Sequence, residues 1–142
     1  GEADLNYFYR LKKYIKKKKL TKIFKFKKYI NSRKDYYFFL NNFNIAIFLS
    51  NCENYPKTLI EIMNLKIPLI CSNETPMKQI TKNYSLLCDQ KNVKSIEKKI
   101  IYCIRNYRKI HTYVSKKITY KNDESAMCKK TYNFLSSFVW EK

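Results

Sequence analysis

The run Ile45-Ala46-Ile47-Phe48-Leu49 contains no polar residue. A strand with one face in water alternates apolar and polar side chains. An unbroken run instead predicts a strand covered on both faces, as in a parallel sheet. Two further short strands are expected: Leu69-Ile70-Cys71, opened by Pro68, and Ser85-Leu86-Leu87-Cys88. Helical signals separate them. One helix should run from Pro56, a residue favoured at the first helical position, to about Leu65, burying Leu59, Ile60 and Ile62 or Met63. A second, shorter helix is expected around Met77 to Ile80. This alternation of strand and helix predicts an α/β fold built on a mainly parallel sheet with flanking helices.

The same reading extends to both ends of the chain. Leu5, Phe8, Leu11, Tyr14 and Ile15 recur at helical spacing, and the lysines from Lys16 to Lys19 trail at the end where they suit the helix dipole. Ile23 to Tyr29 alternates Phe24 and Phe26 with lysines, which predicts a strand. Asn31 or Ser32 should cap a helix from Arg33 to Asn42. Downstream, Ile96, Ile100, Cys103, Ile104 and Tyr107 mark a long helix capped by Asn92. The remainder, to Trp140, reads as helical with a break near Lys121 to Asp123.

Composition limits the function classes. The 142 residues suit one domain, and 45% hydrophobic content excludes a disordered basic tail. The formal charge of +19 taken alone suggests a polyanionic partner. The residues in excess are also those that AT-rich codons encode, so a solvated surface accounts for much of it. Gly1 is the only glycine, which rules out a Gly-rich phosphate loop in this chain. His111 is the only histidine and has no evident carboxylate partner, so neither a His-rich metal site nor a Ser-His-Asp triad is expected. Cys52, Cys71, Cys88, Cys103 and Cys128 form no C-x-x-C pair and mostly sit in apolar runs. They read as reduced thiols of a cytoplasmic protein. No apolar run reaches the roughly 18–20 residues that span a bilayer.

Glu53 and Glu61 flank seven residues, Asn-Tyr-Pro-Lys-Thr-Leu-Ile. Glu53 falls in the loop after a buried strand, where open parallel sheets bind ligands, and Glu61 about one and a half turns into the next helix. The amides around Pro56 to Thr58 would form a helix N-terminus, a site for a diphosphate. A carboxylate beside it can accept from sugar hydroxyls, and one further along can accept both hydroxyls of a ribose. A nucleotide sugar presents those groups in that order. A solvated helix glutamate and an ordinary loop acid are the plainer alternative.

From Asn44 to Asn73 the chain resembles the family 4 retaining glycosyltransferases of the GT-B fold (glycosyl transferases group 1). Their signature is an apolar strand, Ser, then Glu-x7-Glu with "EAM" at its end, then "G-x-P-V-I-x-S/T". Ile23 to Ile30 is similar to the family's "V-x-F-x-G-x-V" segment, and Pro76-Met-Lys-Gln-Ile80 to its "P-E-I/V". Tyr84 to Asp89 and the helix from Val93 follow in order. Lys28 and Lys66 stand where the family usually has glycine, Ile62 replaces an alanine, and Gln79 replaces a glutamate.

The resemblance implies a Rossmann-like sheet, the C-terminal half of a GT-B fold, with residues 1–142 forming a partial donor-binding domain truncated at its N-terminus. It implies transfer of a sugar from a nucleoside diphosphate donor, with retention and without a metal or other cofactor. Glu53 would contact the transferred sugar and Glu61 the nucleotide ribose. Asn54, Tyr55, Pro56, Lys57 and Thr58 would cradle the diphosphate, and Lys28 to Ile30, with Ile30 foremost, would lie near the base. In the doubly wound strand order, Ile23–Tyr29 and Ile45–Leu49 are separated by strands that this sequence lacks. The expectation is a fragment or degenerate remnant that folds poorly alone. The acceptor, a glycan or a lipid, is open. If it is a lipid, Lys16 to Lys19 would serve as a peripheral membrane patch. A non-catalytic basic module binding nucleic acid or anionic membrane is the rival reading. That rival predicts lysines concentrated on one element, and it is disfavoured because they occur on nearly every segment, nucleic acid least of all being expected.

Overall fold

A computed structural model describes residues 4–27, 29–54 and 56–117. The chain divides into two compact units, Gly1–Tyr36 and Tyr37–Lys142.

In the first unit, α1 spans Leu5–Lys17. Asp4 caps it, its carboxylate accepting from the N–H groups of Asn6 at 2.9 Å and Tyr7 at 3.1 Å. The C-terminus closes with two reversed hydrogen bonds, Lys19 N–H to Lys16 and Leu20 N–H to Ile15, with Lys19 at φ 56°. This is a Schellman stop with lysine in the position glycine usually takes. The strand expected at Ile23–Tyr29 is not formed. Its described residues lack regular structure, and Phe24 lies exposed. Alternation makes a strand only when a neighbour takes up its N–H and C=O groups, and among the described residues no strand pairs with it. Lys28 lies outside the described residues. α2, Arg33–Asn41, runs across the boundary at Tyr36 and starts as expected, with Ser32 Oγ accepting from Asp35 N–H at 3.3 Å.

The second unit holds a parallel three-stranded sheet in the order β1-β2-β3, with β1 at Ala46–Phe48, β2 at Leu69–Ser72 and β3 at Leu86–Cys88. Helices α3 (Lys57–Asn64) and α4 (Met77–Thr81) connect them. Buried Ile70 and Cys88 pack with Cys103, Ile96 and Ile100 of α5, Val93–Arg105, and with Ile110 of α6, Tyr107–Ser115. Leu69 and Cys71 point the other way by strand alternation, towards the side on which α3 and α4 bury Leu59, Ile60, Ile62, Met63 and Met77.

The apolar runs therefore became strands, but not equally covered ones. β2 is buried along its whole length, whereas Ile47 at the middle of β1 is 48% exposed. β1 is an edge strand, and α5 packs chiefly over β3, so cover thins towards that edge. Two other expectations change. Pro56 is the residue before α3 rather than its first, and the long helix from Val93 breaks at Asn106, whose side-chain amide donates to the Tyr102 carbonyl at 2.9 Å. Ile104 faces solvent as a result of its place beside Cys103, which takes the inward position. Cys128, Trp140 and the expected break near Lys121 lie outside the described residues. Among the described residues no helix is long and apolar enough to cross a membrane.

Candidate functional site

The carboxyl ends of the three strands are tied to one another. Ser72 Oγ, fully buried at the end of β2, donates to the Ser50 carbonyl just after β1 at 2.8 Å. Ser50 Oγ in turn donates to the Cys52 carbonyl at 3.1 Å. Asn73 N–H donates to the Cys88 carbonyl at 2.9 Å, joining the ends of β2 and β3. These bonds fix the start of the loop that carries Glu53. Sequence reasoning assigned no role to Ser50 or Ser72. The available signal was a hydroxyl directly after each of two apolar runs.

Glu53 is half-buried and Asn54 exposed in that loop. Tyr55 lies outside the described residues. Pro56, buried, precedes α3 with φ −76° and ψ 83°, a backbone turn that starts the helix without any side-chain cap. Among the described residues, the N–H groups of Lys57 and Thr58 have no acceptor, while Leu59 N–H reaches the Pro56 carbonyl at 3.0 Å. Among the described residues, two donors thus stand open at the positive end of a helix.

The burial pattern of α3 sorts its residues by face. Leu59, Ile60, Ile62 and Met63 are buried, whereas Lys57, Thr58, Glu61, Asn64 and Leu65 are not. The second set falls at helical spacing on one stripe. Glu61 therefore stands one turn beyond Lys57 on the same stripe, half-buried and not sealed under the core. Among the described residues, neither Glu53 nor Glu61 has a side-chain hydrogen bond or ion pair. The structure thus gathers Lys57, Thr58 and Glu61 on one open stripe, with Glu53 in the loop leading into it. Ile30 belongs to the other unit.

The stripe ends in a second Schellman stop. Lys66 N–H donates to Met63 and Ile67 N–H to Ile62, and Lys66 sits at φ 60°. A lysine holds the left-handed turn here, and its ammonium donates to the Lys117 carbonyl. Of the neighbouring buried polar groups, Asn64 Oδ1 at the end of α3 has no partner among the described residues, whereas those of Thr81 and Tyr84 are satisfied. Thr81 Oγ1 donates to the Met77 carbonyl at 2.9 Å, and the Tyr84 hydroxyl to the Ile67 carbonyl at 3.1 Å. Burial raises the pKa of the Tyr84 phenol and of the Cys71, Cys88 and Cys103 thiols above their ordinary values. These groups are therefore structural. Glu74 in the loop after β2 is exposed and accepts from Gln90 Nε2 at 3.3 Å. His111 is exposed on α6, its ring 5.6 Å from that of Tyr107.

Comparison with curated proteins and with solved structures gives no match. The model of the family Glycosyl transferases group 1 matches residues 1–119. That span takes in the sheet, the loop after β1 and the open stripe of α3, and this chain belongs to the group 1 glycosyl transferases.

Proposed function

We propose that the chain forms part of the donor-binding domain of a retaining GT-B hexosyltransferase, taking a nucleoside diphosphate sugar. The observation that carries this reading is the open stripe of α3, which runs from two N–H groups past Lys57 to Glu61, none of them bonded among the described residues. A diphosphate laid on the helix start would accept from the N–H groups of Lys57 and Thr58 and meet the Lys57 ammonium. Glu61, one turn on, is spaced to accept from vicinal ribose hydroxyls. Glu53 would accept from hydroxyls of the sugar being transferred. Asn54 and Tyr55 would complete the loop around the phosphates.

In the reaction, the bond from the anomeric carbon to the β-phosphate oxygen breaks, a bond to the acceptor oxygen forms on the same face, and the proton of the acceptor hydroxyl passes to the departing diphosphate. Negative charge grows on the departing diphosphate. Fixed amide dipoles and a nearby cation stabilise that charge more than they stabilise the intact donor. This is where the helix start and Lys57 would act.

A thermal-shift series with UDP-, GDP- and ADP-hexoses tests the reading. One of them should raise the melting temperature of the wild-type chain, and Glu61→Ala should abolish the rise. Protection that survives Glu61→Ala overturns it.

A further inference from the structure

The cations of the first unit are concentrated and set among exposed apolar side chains. Residues 10–25 carry nine lysines and arginines and no acid. On α1, Phe8, Leu11 and Ile15 turn inward: Ile15 is buried, and Phe8 meets Phe26 edge-on at 5.1 Å. The outer face shows Tyr7, Arg10, Tyr14 and Lys17, spaced to form one stripe in which aromatic and cation alternate, with all four exposed. Beyond the Schellman stop the chain turns back on itself, with the N–H groups of Ile23 and Phe24 both reaching the Leu20 carbonyl, at 3.0 and 3.1 Å. This turn puts forward Ile23, 73% exposed, and Phe24, 52% exposed, between Lys22 and Lys25.

We propose that α1 and the turn at Ile23–Phe24 form a docking surface for an anionic lipid bilayer. The nine cations select an anionic partner. The apolar residues decide which kind. An isoleucine side chain has no flat face to stack on a nucleobase, but it gains from entering acyl chains. Tyrosine suits the headgroup level, where its ring sits in the apolar boundary and its hydroxyl stays wet. Lysines on both sides of the turn would hold phosphate headgroups while Ile23 and Phe24 enter between them. The surface lies wholly in the first unit and takes no residue from the donor site.

Sedimentation of the full chain with lipid vesicles tests the proposal. The chain should bind phosphatidylcholine vesicles that contain phosphatidylglycerol, should not bind pure phosphatidylcholine, and should be released by added salt. Each lysine near the surface is expected to contribute about fivefold in partitioning, so Lys13→Gln/Lys16→Gln/Lys17→Gln should weaken binding by about a hundredfold. Ile23→Ser/Phe24→Ser, which keeps every charge, should weaken it by about tenfold. All five side chains are exposed except for modest contacts, so circular dichroism should show both variants folded as the wild type. Three results overturn the proposal: equal binding to neutral vesicles, unchanged binding by the Ile23/Phe24 variant, or capture of the chain from vesicles by single-stranded DNA. Failure of donor protection at Glu61 with intact vesicle binding would sink the donor reading alone.

Discussion

At Lys66 the backbone enters the left-handed region, φ 60°, to reverse direction after α3. A side chain with a Cβ is strained there by about 1–2 kcal/mol, and glycine is not. The ammonium of Lys66 offsets part of that by donating to the Lys117 carbonyl. The two effects separate by substitution. Lys66→Gly relieves the backbone and loses the hydrogen bond, whereas Lys66→Ala loses the bond and keeps the strain. Chemical denaturation should therefore show the glycine variant equal to the wild type or up to about 1 kcal/mol more stable, with alanine about 1 kcal/mol less stable. Alanine as stable as glycine would contradict this account. Tyr84 offers a second test at this scale. Tyr84→Phe leaves the buried Ile67 carbonyl without its donor and should cost about 1–3 kcal/mol. The departure at Lys66 was legible in the sequence, because glycine usually stands there in the resembling family; the left-handed φ came from the structure. The Tyr84 bond was not, since it joins residues far apart in the chain.

Among the elements, the tie from Ser72 Oγ to the Ser50 carbonyl links the end of β2 to the loop that carries Glu53. Ser72→Ala should unfasten that loop, costing about 1–2 kcal/mol of stability and weakening donor protection in the thermal-shift series, while Ser72→Thr restores part of both. Loss of stability with no change in donor protection would show the tie to be purely structural. β1, β2, β3 and the helices between them were legible because each apolar run or periodic stretch is bounded by Pro, Asn or Ser. What local pattern does not encode is which strand lies at the edge. Ile45–Leu49 and Leu69–Cys71 read alike, yet Ile47 is exposed and Ile70 is fully buried. Ile23–Tyr29 failed for a related reason, since alternation records a preference and pairing needs a partner. The break at Asn106 fell inside a periodic stretch, where the hydrophobic spacing outweighed the one residue able to cap. At the candidate site, spacing put Glu53 in a loop and Glu61 on a helix, and the structure adds that Glu61 shares an open stripe with Lys57.

For the molecule as a whole, the core carries thiols that an acid–base and a labelling experiment can both read. Cys71, Cys88 and Cys103 are buried and Cys52 is exposed. In a Cys128→Ser background, a thiol reagent should modify Cys52 at once, a phase lost on adding Cys52→Ser, and should reach Cys71, Cys88 and Cys103 only as the fold opens. Fast modification of Cys71 in the native protein would contradict the burial of β2. The same thiols predict a dependence on pH. Burial raises each above the ordinary value of 9.0, so the folded chain keeps them protonated where an unfolded chain ionises them. Their contribution to stability is complete below about pH 9 and is lost as the pH climbs towards the raised folded values. The melting temperature should fall above that point, and a level profile well into alkaline conditions would contradict it.

Lysine in place of glycine at the two Schellman stops joins a geometric role to an electrical one. Wherever α1 and α3 halt, the residue that reverses the chain also deposits a positive charge beside carbonyls at the negative pole of the helix. Drift in sequence at Lys19 or Lys66 therefore cannot alter the bend and leave the local field untouched. A change to glycine eases the bend and discharges the terminus, and a change to arginine keeps the charge with the torsion still strained.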